Sequence, residues 1–434
     1  MKINYMFLLI IFIFIASCGN KITPPSESNG IIYYDVETAE TKSFSFVKFD
    51  DSTGQALEAK SKFKKLAESQ NAIVYFEDGY SITIDQLRSF LTQFEESFEK
   101  EVSIYGAPSD LDRNGKIIFL MADINTNGNS TGGYFSMMDL IDGKDGIRGE
   151  YLHVNVKWEL ESVFGVMMHE LQHLINYNVN VFEHNKEMDI WLNEALSEST
   201  SHTFNNSIVQ MRVEAFNGIP YYSFYSWYLK YEDTTDIFGE DMAPLSYSQV
   251  SIFMKWIDTK TGGNQEVYRK IASSTIADSE QRLVNSVKEL APSLGSDMDT
   301  LLINYISDIY KGNNLGLNIG AIPFSESYPE VIEHLAVNGQ LQLVPRALIV
   351  CSAEDASKVT DPKIRKIDLD GSYYLLLNTS KNTIPGLVSA NNMVGVSITL
   401  PLSSKSLSVQ YNDFKDLTIF KDNYFRDVII NEKD

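Results

Sequence analysis

Cysteine is nearly absent from this chain of 434 residues, which holds two, Cys18 and Cys351. Cys18 falls in an N-terminal export segment, so Cys351 is left without a partner in its own chain and reads as a buried apolar residue; a fold stapled by disulfides is excluded. Basic residues are also scarce. Lys and Arg total 36 against 58 Asp and Glu, a formal charge of -22, which argues against nucleic acid or anionic lipid bound through a basic surface. The acidic residues are spread along the chain and read as a solvated surface rather than a docking patch. Long apolar runs, low-complexity tracts and internal repeats are missing as well. What is present, 44% apolar and 22% charged side chains, suffices for real cores and for two or three domains in a monomeric globular protein.

The first residues, MKINYMFLLIIFIFIASC, give a short positive start and an apolar stretch from Met6 to Ile15. That stretch is too short for a typical spanning helix and is an export signal. Ile15-Ala16-Ser17-Cys18 resembles the lipobox of bacterial lipoproteins, which implies residues 1–18 as signal peptide with Cys18 as the lipidated residue. An ordinary cleaved signal with an incidental cysteine is the alternative. Residues 19–30, GNKITPPSESNG, have the composition of a flexible tether. The implied location is the bacterial cell envelope, at the outer membrane, the cell surface or the periplasmic face, with the lipid as the membrane contact.

From 31 to 157 the apolar runs AIVYF (72–76), KIIFLMADI (116–124) and EYLHVNV (150–156) predict strands, interrupted by a helix over 84–104 with Leu87, Phe90, Leu91, Phe94, Phe98 and Val102 at helical spacing. From 158 to 325 the pattern turns helical, most strongly at 163–177, 189–204 and 247–260, then at 264–275, 279–291 and 298–311. Residues 335–434 turn strand-like again and predict a small β-sandwich. The expected fold class is α+β.

His169-Glu170-Leu171-Gln172-His173 lies inside the first strong helix. Residues four apart stack on one helix face, so both imidazoles reach one Zn²⁺ while Glu170 lies beside the metal's water as a general base. The pentapeptide alone is weak, because it occurs by chance on unrelated helices. Trp191-Leu192-Asn193-Glu194-Ala195-Leu196-Ser197-Glu198, on the next helix, supplies Glu194 as the third ligand of a His₂Glu site. Glu198, one turn on, is placed to accept the free ring N–H of His169, and Asp189 to do the same for His173.

These motifs together resemble the gluzincins, the HExxH metallopeptidases whose third ligand is a glutamate, and among them the hyicolysin-like neutral metallopeptidases. The resemblance spans about residues 72 to 262, including DLDRNGK (110–116), GGYF (132–135), HELQHLINY and WLNEALSE. It implies a zincin-type catalytic domain, with a sheet part and a helical part, cleaving polypeptides by metal-activated water. The aminopeptidase branch places a catalytic Tyr on a helix about this far beyond the third ligand, which implies Tyr247 as oxyanion donor; Val250 stands where a Gly usually follows. The cluster Tyr221, Tyr222, Tyr225, Tyr228 and Tyr231 is a rival source of that donor.

Asp110, Asp112 and Asn114 match the first half of a calcium loop, but Met121 stands where its closing glutamate belongs. The alternatives are a Ca²⁺ site closed by Asp123 or another carboxylate, or a tight turn. Residues 132–156 predict an edge strand above the zinc, and 125–133 a loop that is either a lid or plain surface. Two competing functions stand beside the endopeptidase: an idle zincin-like surface lipoprotein serving as a binding or adhesion module, and an aminopeptidase. The first has no use for Glu170; the second calls for a Gly-x-Met-x-Asn type segment where the chain reads GGYFSMMDL.

Overall fold

The computed structural model of the protein describes residues 26–52, 55–141, 148–205, 207–218, 223–225, 243–319, 336–337, 340–341, 343 and 345–380. The chain enters through a hairpin of β1 (Ser26–Ser28) and β2 (Ile31–Tyr33), followed by a longer hairpin of β3 (Thr41–Asp50) and β4 (Gln55–Glu68). The first begins inside the segment expected to be a tether. The second has no counterpart in the sequence-based expectation, because the first half of β4 is mostly exposed and no buried face marks it.

β5 (Ala72–Glu77), β6 (Ile117–Ala122), the short β7 (Asn125–Thr126) and β8 (Gly133–Phe135), and β9 (Tyr151–Asn155) complete the sheet. Its strand order is β1-β2-β4-β5-β6-β9-β8, with β3 paired to β4 on one side and β7 on the other. β5, β6 and β9 run parallel and are buried along their length, as continuous apolar runs require when both sheet faces are covered. β8 ends the order, antiparallel to β9. The edge is therefore three residues long, and the other described residues of the expected 132–156 edge lie in a short helix (Met138–Ile141), in β9 or in loops.

One sheet face is covered by Phe44, Phe46, Phe49, Phe63, Tyr75, Tyr134 and Tyr151, largely from the curled β3–β4 hairpin. The other is covered by helices. α1 (Ile84–Tyr105) starts at a Thr83–Gln86 capping box and sets Phe90 and Phe94 edge-on to Phe119, with ring centroids 4.9 and 5.0 Å apart. α2 (Met138–Ile141) is one short turn. α3 (Leu160–Asn176) runs on into π-helical turns over Tyr177–Glu183, and α4 (Ile190–Phe204), α5 (Ile208–Gly218), α6 (Ala243–Lys260), α7 (Glu266–Ser273), α8 (Ser279–Leu290) and α9 (Met298–Tyr310) follow.

Beyond them, β10 (Ala336–Val337) and β11 (Gln340–Leu341) pair with each other. β12 (Leu348–Ser352), β13 (Ile364–Asp368) and β14 (Tyr373–Asn378) form an antiparallel sheet in the order β12-β14-β13, with the short α10 (Ala353–Lys358) between the first two. Leu348, Val350, Leu375 and Leu377 belong to the same apolar core as the helices. The described part of the expected β-rich tail thus holds a three-stranded antiparallel sheet packed on the helical core, beside the β10–β11 pair. The strands expected near 395–402 and 407–411, like Cys18, lie outside the described residues. Among the described residues no helix is long and apolar enough to cross a membrane.

Candidate metal centre

α3 and α4 pack side by side, and both are buried through the stretch where they meet. α4 carries several hydroxyls into that interior and satisfies them on itself: Ser199, Thr200 and Ser201 each donate to the carbonyl three residues back. The helix can therefore be buried nearly all round and still present charged groups on one face.

That face points Glu194 at α3. The Nε2 atoms of His169 and His173 stand 3.1 Å apart, and each is 3.4 Å from Glu194 Oε2. Both Glu194 oxygens are buried and make no hydrogen bond. Burial works against the charge of Glu194, yet the imidazoles of His173 and His169 hold its carboxyl below the usual range. Two imidazole nitrogens facing one another beside a buried carboxylate that no donor satisfies are three lone pairs directed at one region. A Zn²⁺ ion fits such a set and keeps a position for water.

The outer ring nitrogens are held too. His169 Nδ1 lies 3.4 Å from Glu198 Oε1, and Glu198 in turn accepts from Arg212 Nε at 2.8 Å and Nη2 at 2.6 Å. Burial opposes ionisation of Glu198, but Arg212 and His169 bring its carboxyl down to about 2. His173 Nδ1 meets Asn193 Oδ1 at 3.2 Å and Ser197 Oγ at 3.0 Å. Since Ser197 donates its own proton to Gln172 Oε1 at 2.5 Å, its lone pairs are left facing the imidazole. Asp189 was expected in that place. It sits at the N-cap of α4 with its backbone N–H on Ser279, one turn before Asn193, and the imidazole faces the turns beyond it.

Glu170 is 2% exposed. Its Oε2 accepts the backbone N–H of Phe135 at 2.8 Å, which ties it to the edge strand β8. The strand lies this close to α3 because of Gly133, where a Cβ would stand 2.3 Å from Met167 Cε and 2.7 Å from the His153 carbonyl oxygen. Tyr247, fully buried on α6, has its ring centroid 6.2 Å from that of His169, with the Arg212 guanidinium 4.9 Å over the same ring. Of the rival tyrosines, Tyr225 stacks on Trp191 and donates to Glu280 at 2.7 Å, while Tyr221, Tyr222, Tyr228 and Tyr231 lie outside the described residues. The 125–133 loop is pinned: Ser130 bonds Asp51 through N and Oγ, and Trp158 Nε1 donates to Asn129.

No family model matches the chain. The neutral metalloprotease ShpI of Staphylococcus hyicus is 23% identical over 348 residues, 76% of this chain and 75% of that protein. The site is that of a zinc metallopeptidase. A crystal structure of an aminopeptidase N family protein from Idiomarina loihiensis is 12% identical, with a TM-score of 0.30, and covers 73% of this chain and 59% of that one, less than two thirds of its length. Sequence reasoning did not find Arg212, Asn193, Ser197 or the Phe135 N–H. Glu198 alone was a signal, since a buried carboxylate requires a cation, but the pattern does not say which one.

Asp110 and Asp112 stand in the turn before β6. The carboxylate grouped with them is Glu150, which precedes β9, so of the two alternatives, Asp123 or another carboxylate, it is the second that stands here. Asp123 is engaged elsewhere, with Tyr80 at 3.0 Å and Lys157 at 2.8 Å. Asn114 turns its Oδ1 to the Lys116 N–H at 2.6 Å, away from a ligand's role.

Proposed function

We propose that this chain is a zinc-dependent endopeptidase acting on extended polypeptides. The observation that carries the reading is the separation of roles between two glutamates: Glu194 completes a three-donor set, while Glu170 accepts the Phe135 N–H and is held by the edge strand. A binding module would have no use for Glu170. The name of the Staphylococcus hyicus relative agrees with the reading.

His169, His173 and Glu194 would hold a zinc ion, which when bound would supply a Lewis acid to polarise a carbonyl and to lower the pKa of water to about 7. Glu170 takes the proton of the attacking water and returns it to the leaving nitrogen, with Phe135 N–H fixing one carboxylate oxygen while the other exchanges the proton. Glu198 and the Asn193–Ser197 pair keep the ring N–H of each histidine on the outer side, so both Nε2 lone pairs face the metal. β8 offers a strand edge beside this group, where an extended substrate adds as a further strand. Tyr247 serves as donor to the oxyanion, supported by the nearness of its ring to His169. Export and lipidation at Cys18, which put the enzyme at a bacterial envelope, rest on the sequence Ile15-Ala16-Ser17-Cys18.

Two internally quenched peptides of the same sequence, one acetylated at its N-terminus and one free, separate this reading from an aminopeptidase. The endopeptidase cuts both at similar rates within the chain. Cleavage confined to the first bond of the free peptide would replace it with the aminopeptidase.

A further inference from the structure

We propose that Asp110, Asp112 and Glu150 bind a divalent cation, calcium, which ties the turn before β6 to the start of β9. One oxygen from each of the three carboxylates lies within 4.8 Å of the others. Three negative charges at that spacing repel, and among the described residues none of them forms a salt bridge with a lysine or arginine, Lys42 acting on Asp112 only through its field. Lys116, at the end of the same turn, is directed to the carbonyls of Ser69 and Gln70 and to Glu68.

The independent sign of a ligand is Glu150. The residue is 1% exposed, and its Oε2 is buried with no hydrogen-bond partner. Its other oxygen accepts from Ser109 Oγ at 2.7 Å and from the Leu111 N–H at 2.9 Å, which fixes the carboxylate against the turn. A buried carboxylate oxygen left bare keeps its full desolvation penalty, and a cation removes it. Burial raises the carboxyls of both Asp112 and Glu150, and each is raised further by a neighbouring aspartate, Asp110 for the first and Asp112 for the second.

The turn is already shaped for the ion. Gly115 N–H donates to Asp110 Oδ1 at 2.9 Å, and Asn114 N–H to Asp112 Oδ1 at 3.0 Å. Gly149 lets the β9 entrance come close, since a Cβ there would stand 3.2 Å from Asp112 Oδ2. The glutamate that a contiguous calcium loop would carry at its end comes here from another strand. Oxygen-only donors select a hard cation, and carboxylates drawn from two separate segments suit the loose coordination of calcium better than the strict octahedron of magnesium. The Glu150 backbone oxygen accepts from Ile118 N–H at 2.8 Å, so the ion would reinforce the junction of β6 and β9.

The test is calorimetric titration of the purified, zinc-loaded full chain with calcium chloride, beside Asp110→Asn and Glu150→Gln. The expected result is one calcium with a Kd of about 10⁻⁴ to 10⁻³ M, a higher melting temperature with calcium, and at least tenfold weaker binding in both variants at unchanged zinc content. Asp110 is exposed, so its variant keeps the fold if Glu150→Gln does not. No uptake by the parent at about 10 mM calcium overturns the site. Binding unchanged in Asp110→Asn moves the ion elsewhere, and magnesium binding as tightly as calcium overturns the choice of ion.

Discussion

At the scale of single residues, the metal centre depends on a side chain no motif announces. Arg212 makes the only described charge-paired hydrogen bonds to Glu198, which in turn orients His169. Arg212→Ala leaves a buried carboxylate without its partner. The expected cost is about 3–5 kcal/mol of stability and a 10- to 100-fold loss of zinc affinity, read from urea unfolding and from competition with a zinc chelator. Unchanged zinc affinity would mean that Glu198 orients nothing. Cys351 gives a second case. Burial pushes its thiol up to about 12, and it is fully covered on β12. Iodoacetamide at pH 8 is expected to leave it unmodified in the folded protein and to alkylate it fully in urea; rapid labelling of the folded form would show the strand exposed. The zinc ligands were legible because a helix turns a spacing of four into one face. Arg212, Ser197 and Glu150 were not, because nothing in local sequence says which distant side chain meets a buried charge.

The elements divide along the same line. Helices with a buried stripe, such as α1 and α8, and strands buried on both faces, such as β5 and β6, could be read from apolar period alone. The β3–β4 hairpin could not: its pairing is local, but Phe44, Phe46 and Phe49 are buried by distant partners such as Tyr75, Tyr134 and Tyr151, while charged residues fill much of β4. The placement of β8 against α3 is also a matter of packing, and it turns on Gly133. Gly133→Ala is expected to push the strand off Glu170, lowering kcat/KM by at least tenfold with zinc retained, and to cost about 1–3 kcal/mol from overpacking. Peptide kinetics beside metal analysis checks this, and wild-type kinetics would detach the strand from catalysis. Docking of the C-terminal sheet rests on Arg346, which bonds Glu280 through Nε at 3.1 Å and Nη2 at 2.9 Å, and also reaches Asp299 and the Thr379 carbonyl. Arg346→Ala is expected to lower stability by about 3 kcal/mol or more, with faster proteolytic nicking between 343 and 380; an unaltered unfolding curve would place the docking energy in the apolar contacts instead.

The whole molecule joins a sheet that presents an edge, two buried helices that present a zinc set, and one carboxylate held between them. Because the three ligands come from two helices, zinc also acts on the fold. Its removal by a chelator is expected to lower the melting temperature, by a free energy of about 4 kcal/mol when free zinc stands a thousandfold above its Kd. The most direct measurement is zinc content and casein cleavage by the purified protein beside its Glu170→Gln variant. The account expects about one zinc in each and a loss of about 10²- to 10⁴-fold in cleavage by the variant. Equal cleavage by both, or zinc lost from the variant, would contradict the separation of base from ligand on which the account stands.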